Sequence, residues 1–129
     1  MQIIALGSDV IECVRIRELI ERYGESFLRR AFSDREIRHC QSRRQSTEHF
    51  AGTWAAKEAV MKCLAAPARV HRIDAEIRAD SAGAVQVVLH GTARERADDM
   101  KINSWLITVS HCREFATATA IALGPIARS

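Results

Sequence analysis

Nothing in this sequence pairs its thiols. The four cysteines, Cys13, Cys40, Cys63 and Cys112, fall in no C-x-x-C unit. That spacing excludes a zinc ribbon and offers no disulfide frame, so a reducing, cytoplasmic setting is expected. No apolar run approaches the length that spans a bilayer, and no basic stretch precedes an apolar one ahead of a cleavage site. A membrane partner is therefore not expected. Aromatic residues make up only 5% and are not interleaved with basic ones, as a nucleic-acid-binding groove would require. The net charge of +3 is also too small to demand nucleic acid, although it suits an acidic protein or a phosphate-rich ligand. Repeats and low-complexity tracts are missing. What is present is 47% apolar and 27% charged, the balance of a folded protein. The 129 residues bound the answer to a single domain, 1–129, whose modest core would gain from a shared subunit interface.

One stretch dominates the pattern: Phe50-Ala-Gly-Thr-Trp-Ala-Ala-Lys-Glu-Ala-Val-Met-Lys-Cys-Leu64. Strong helix formers fill it, Thr47 offers a side-chain N-cap and Pro67 a stop, so a long helix is expected. Phe50, Trp54, Met61 and Leu64 fall on one stripe, the expected core face. Lys57 falls inside that stripe. Either its methylenes pack while its ammonium snorkels to water, or it points at an anion. Beside it run Ala51, Ala55, Glu58 and Lys62. The last two read as a helix-strengthening pair of roughly 0.3–0.5 kcal/mol, or as site chemistry.

Elsewhere the signals are shorter. Ile3-Ile-Ala-Leu6 reads as a strand covered on both faces, broken by Gly7-Ser8, with Asp9 just past its end as N-cap or site carboxylate. A helix is expected from about Glu12 to Tyr23, with Ile16, Leu19, Ile20 and Tyr23 inward and Gly24 as the stop. Its arginines, Arg15 among them, make a basic region: a solvated face or a dock for an acidic partner. Ser33-Asp-Arg-Glu36 is a capping box that starts a helix at Asp34 and carries Ile37 and Cys40 inward. Residues 41–46 read as an exposed loop. Ile73, Ala75 and Ile77, a turn at Asp80–Gly83, then Val85, Val87 and Leu89 describe a hairpin. Gly91–Lys101 is a weaker helix. Trp105, Ile107 and Val109 form a strand ending at Ser110-His111. On the last strand Ala116, Ala118, Ala120 and Ala122 share a face, so something must pack very close to it: the alanines of the central helix, or a neighbouring subunit. Strands and helices do not alternate regularly, which predicts an α+β fold with an antiparallel sheet under the central helix.

Two carboxylates, Asp9 and Glu58, stand in site-like positions near Lys57, Lys62 and His111. Without His or Cys at metal spacing they suit a hard cation such as Mg²⁺, its shell completed by water and phosphate oxygens, with lysines balancing phosphate charge. Three motifs extend this reading. Leu6-Gly-Ser-Asp-Val-Ile-Glu-Cys-Val-Arg-Ile16 is similar to a G-x-D-x-x-x-x-x-R-I opening. Phe50-Ala-Gly-Thr-Trp-Ala-Ala-Lys-Glu-Ala59 followed by Lys62 is similar to W/F-A-x-K-E-A…K. Val109-Ser-His-Cys-Arg-Glu-Phe115 is similar to S-x-(S/T)-H. Together, over nearly the whole chain, they resemble the holo-[acyl-carrier-protein] synthase group of 4′-phosphopantetheinyl transferases.

The resemblance implies a Mg²⁺-dependent transferase of α+β fold. It would move 4′-phosphopantetheine from coenzyme A to a serine of an apo acyl carrier protein and release adenosine 3′,5′-bisphosphate. It implies Mg²⁺ on Asp9 and Glu58, with Glu58 also activating the serine through water. Lys62 and Lys57 would meet phosphates, His111 the adenosine bisphosphate, and Arg15 the carrier protein. It further implies a homotrimer with sites between subunits. This chain departs from the family at Thr53, where a basic residue is usual, and at Ala65-Ala-Pro67, where a G-T-G-like loop is common. A proline usual in the first hairpin is also absent near Ala84-Val85. These departures motivate an alternative: a catalytically weak relative that only binds coenzyme A or an acidic protein.

Overall fold

The computed structural model describes residues 1–126. Strand β1 (Gln2–Glu12) leads into helices α1 (Cys13–Tyr23), α2 (Glu25–Ala31), α3 (Asp34–Gln41) and α4 (Ser46–Cys63). A 3₁₀ turn (Arg72–Asp74) then opens the hairpin of β2 (Ala75–Ala79) and β3 (Val85–Leu89). Helix α5 (Gly91–Asp99) and strands β4 (Ser104–His111) and β5 (Phe115–Gly124) complete the chain. β1, β5 and β4 form an antiparallel sheet in that spatial order, and β2–β3 form a separate two-stranded ladder. Helix α4 lies across the larger sheet. The expected α+β architecture, a long helix on an antiparallel sheet, is the one observed.

Small residues make this packing possible. Ala116, Ala118, Ala120 and Ala122 of β5 are buried, as are Ala51, Ala55, Ala56 and Ala59 of α4. The alanine face therefore meets the helix of its own chain. At Gly7 the approach is backbone to backbone: a Cβ there would lie 2.2 Å from the Ala59 carbonyl oxygen. No side chain fits that gap, so glycine serves contact here rather than a break. This explains the main difference from expectation. β1 does not stop at Leu6; it runs on to Glu12, and Asp9 stands within it, paired with Ala118. Nor is it covered on both faces, since Leu6 and Val10 are exposed.

Other local signals are resolved residue by residue. The capping box forms: the Glu36 backbone N–H donates to Ser33 Oγ at 3.2 Å, and the Ser33 N–H returns to Glu36 Oε1 at 2.8 Å. Gly24, at φ +54°, closes α1 by donating to the Ile20 carbonyl. Asp80 Oδ1 accepts from the N–H groups of Ala82 and Ala84, holding the hairpin turn. The central helix begins at Ser46, with no side-chain cap from Thr47. Trp54 and Met61 are only partly buried, because the alanine stripe takes the sheet side. Helix α2 had no expected counterpart, and residues 72–74 form the 3₁₀ turn rather than strand.

Lys57 is the sharpest correction. Its side chain and that of Glu36 are both fully buried. The Lys57 ammonium donates to Glu36 Oε1 at 2.9 Å, to Glu36 Oε2 at 3.2 Å and to the Ala75 carbonyl at 2.8 Å. All three of its protons are thus committed, and none remains for a phosphate or for water. Glu36 also accepts from the Ile77 N–H at 2.8 Å, so the pair ties α3, α4 and β2 together. Burial pushes the Glu36 carboxyl up and the Lys57 ammonium down, and each charge offsets that effect on the other. Lys57→Met leaves Glu36 uncompensated and is expected to cost about 3–5 kcal/mol in denaturant unfolding. Adding Glu36→Gln in the same chain should restore part of that loss, since no unpaired charge then stays inside.

Candidate active site

The close contact at Gly7 fixes the geometry of the site. Two residues further along β1, on the same face, Asp9 is brought beside the C-terminal half of α4. A Cβ at Gly7 would also lie 3.1 Å from the Lys62 Cβ, so Lys62 leaves the helix next to β1. Its ammonium donates to the Ser8 carbonyl at 2.7 Å and to Asp9 Oδ1 at 3.1 Å. One helical turn earlier, the Glu58 carboxylate accepts from Arg72 Nε. The Arg72 guanidinium stacks on the Trp54 ring, 4.5 Å from its centroid. Each carboxylate therefore has a basic partner, but Glu58 and Lys62 turn to others rather than to one another. The helix-strengthening pair read from spacing is not what holds them.

Asp9, Glu12, Arg15, Trp54, Glu58 and Phe115 line one open cleft of about 390 Å³. Asp9, Glu58, Lys62 and Arg15, each singled out from sequence, thus converge on one side of α4. His111 does not join them. It belongs to a larger cavity of about 580 Å³, shared with His39, Arg43, His49 and Thr53. At 3.6 residues per turn, the nine positions from His49 to Glu58 make about two and a half turns, so the two sites face opposite ways. Within the cavity, His111 Nδ1 lies 3.0 Å from Glu48 Oε1. The His49 ring lies 4.8 Å from that of His111 and 6.1 Å from that of His39. Burial lowers the His49 pKa, helped by His111, Arg43 and His39; burial, then Arg43, lowers that of His39. Thr53 places its hydroxyl 3.6 Å from Cys40 Sγ, and burial drives that thiol up to about 12.

Sequence reasoning did not find Arg72, His39, His49 or Arg43 as candidates. Arg43 sits between α3 and α4 and Arg72 in the 3₁₀ turn before β2, where no periodicity marks them, and the histidines meet only through the packing of α3, α4 and β4. As for a metal, no group of three or more His, Cys, Asp or Glu side chains could hold one among the described residues. The cleft is lined by the carboxylates Asp9, Glu12 and Glu58, with no histidine or cysteine among them. That donor set fits a small hard cation that keeps several waters and takes further oxygens from a phosphate substrate. It does not fit a dedicated protein cage.

Residues 5–120 match the 4′-phosphopantetheinyl transferase superfamily. Over 126 residues the chain is 37% identical to a holo-[acyl-carrier-protein] synthase of Rhodopirellula baltica, covering 94% of this chain and 98% of that protein. Against a protein of the same description from Dehalococcoides mccartyi, identity is 39% over 116 residues, with 90% and 95% covered. The crystal structure of the Helicobacter pylori holo-[acyl-carrier-protein] synthase in complex with coenzyme A aligns at TM-score 0.80 and 28% identity, covering 92% of this chain and 99% of that one.

Because Arg72 holds Glu58, a cation entering the cleft must compete with it. Arg72→Gln is expected to tighten Mg²⁺ on the free protein by up to about 5-fold, equivalent to a partly exposed ion pair near 1 kcal/mol. Isothermal titration calorimetry reads this; equal affinity in the two proteins would show that arginine and metal do not compete.

Proposed function

We infer that this chain, which belongs to the 4′-phosphopantetheinyl transferase superfamily, transfers 4′-phosphopantetheine from coenzyme A to a serine of an apo acyl carrier protein. The observation that carries this reading is the convergence of Asp9, Glu58 and Lys62 around one cleft, within the matched region. In the reaction the serine oxygen bonds to the β-phosphorus of coenzyme A. The bond from that phosphorus to the bridging oxygen breaks, and adenosine 3′,5′-bisphosphate leaves with the electron pair. Transfer of this kind depends on positioning and charge neutralisation more than on covalent catalysis.

Each residue has a place in that scheme. Asp9 and Glu58 are the carboxylates that would hold Mg²⁺, which when bound neutralises charge on the diphosphate oxygens. Glu58 also accepts the proton of the serine through a water. Lys62 is half-exposed at the rim of the cleft and reaches a phosphate oxygen there as a mobile point charge. Arg15, on the exposed face of α1 with Arg17 and Arg22, meets an acidic carrier protein, and such complementarity mainly raises the association rate. Among the described residues no helix is long and apolar enough to cross a membrane, and the four thiols are unpaired, which supports a cytoplasmic setting.

His111 enters through a second copy of the chain. The outward face of the sheet carries rows Leu6–Ile121–Leu106, Ser8–Thr119–Thr108 and Val10–Thr117–Ser110, with no charge in any of them. Leu6, Val10 and Leu106 are exposed on that face. A face whose three rows hold no charge, with exposed Leu6, Val10 and Leu106 among serines and threonines, is suited to self-association, and in the proposed trimer the histidine cavity of one copy would meet the carboxylate cleft of the next.

Incubation with coenzyme A, Mg²⁺ and an apo carrier protein should add one phosphopantetheine by mass spectrometry. Asp9→Ala and Glu58→Ala are each expected to slow this by roughly 10²-fold or more while circular dichroism stays unchanged. Turnover equal to the unaltered protein in either variant would reject the assignment, and coenzyme A binding without any transfer would favour the binding-only alternative. Leu6→Lys with Leu106→Lys should convert a trimer to monomers in light scattering and abolish transfer with it; an assembly unaffected by both charges would refute the sheet-face interface.

A further inference from the structure

We propose that Arg72 exchanges partners when the carboxylate cleft fills: it gives up Glu58 to the metal and passes, still stacked on Trp54, onto the diphosphate of coenzyme A, so that metal and co-substrate bind cooperatively through this one arginine. The proposal rests on the transferase reading above and adds to it a residue that lies outside all three sequence motifs.

Arg72 is built differently from a permanent anchor such as Lys57, whose protons are all committed. It meets Glu58 through Nε. Its terminal nitrogens make no hydrogen bond among the described residues, and its side chain is 35% exposed. A guanidinium carries five N–H donors, so most of its capacity stands unused. Its face, meanwhile, is held by the Trp54 ring, 4.5 Å from the centroid. A stacked arginine can turn its edge from one acceptor to another while the ring keeps hold of its face.

The balance of charge shows why the exchange needs both ligands. Asp9, Glu12 and Glu58 line the cleft with Arg15. Lys62 pairs with Asp9, and Arg72 with Glu58. In the free protein these acids and bases cancel. With Asp9 and Glu58 turned to a dication, Lys62 and Arg72 lose their carboxylates and the cleft gains two positive charges. The acids close to Arg72 in the chain are already engaged: Glu76 with Arg78 and His90, and Asp74 with Thr92. A diphosphate carries the two missing negative charges, and its non-bridging oxygens match the planar fork of a guanidinium. Each ligand thus removes a cost that the other would meet alone. That is a coupling between two binding equilibria, and it is reciprocal.

Isothermal titration of coenzyme A into the whole chain, in saturating Mg²⁺ and in EDTA, tests this without reference to turnover. Arg72→Gln should weaken coenzyme A by about 10-fold in Mg²⁺ and leave it nearly unchanged in EDTA, where the arginine of the unaltered protein stays on Glu58. The factor by which coenzyme A tightens Mg²⁺ should fall by the same amount. Arg72→Lys keeps the charge without the fork or the stacking face, so its loss in Mg²⁺ should be smaller; it carries the test if circular dichroism shows the glutamine variant unfolded. A loss of equal size with and without Mg²⁺ would mark an arginine that only supports the fold. No loss in Mg²⁺ would mark one that only competes with the metal. Either result overturns the partner exchange and leaves the transferase reading standing, whereas failure of the unaltered protein to bind coenzyme A under both conditions overturns both.

Discussion

The structure depends on one steric constraint: α4 must lie almost against the backbone of β1. Gly7 is the point of contact, and the alanines of β5 and α4 extend it into a seam. Such a seam removes rather little apolar area per residue, but the dense packing of short side chains fixes the distance between the two elements closely. That distance is what the site requires. Asp9 follows Gly7 by two residues on the same face, and Lys62 leaves the helix beside it. A larger residue at position 7 would push the helix away and separate carboxylate from lysine before altering either.

On another side of α4 the Lys57–Glu36 pair performs a complementary task. Two buried charges are costly to desolvate and are weak evidence of added stability by themselves. Their value here is directional. Glu36 caps its own helix through Ser33, accepts from Ile77 and receives Lys57, so α3, α4 and β2 meet in a single arrangement. The adjacent Glu58, about 100° further round the helix, is thereby held toward the cleft. Neighbouring residues of one motif, Lys57 and Glu58, divide the work: one anchors the helix while the other presents its carboxylate.

Legibility in the sequence varied with the range of the interaction. The capping box and the Asp80 turn are local patterns with one physical solution each, and both form as expected; the alanine face leaves two partners open, and the structure supplies the central helix. Gly7-Ser8 was read as a break because glycine in a short apolar run suggests a turn; only the position of Ala59 shows otherwise. Periodicity marked Lys57 as anomalous but could not supply Glu36, twenty-one residues earlier, as its partner. Glu58 and Lys62 were identified, yet their true partners lie on β1 and in the loop beyond the helix. The gathering of Asp9, Glu58, Lys62 and Arg15 was legible through the resemblance of three motifs, where side-chain spacing alone left the alternatives open.

If copies of the chain meet as proposed, the two sites on α4 can serve one reaction. A diphosphate ester such as coenzyme A needs charge at its reacting phosphorus and a separate grip on its nucleotide end. In this chain the carboxylates and the histidine cavity lie about half a turn apart around the same helix. A helix used this way acts as a shared wall, giving its C-terminal half to one site and its N-terminal half to the next. Under that proposal the outer face of the sheet, free of charge from the Leu6 row to the Val10 row, would be where the copies meet. Thr53, His39 and His49 all lie on the cavity side of the helix. Residues there can change while Asp9, Glu58 and Lys62 keep their arrangement across the seam.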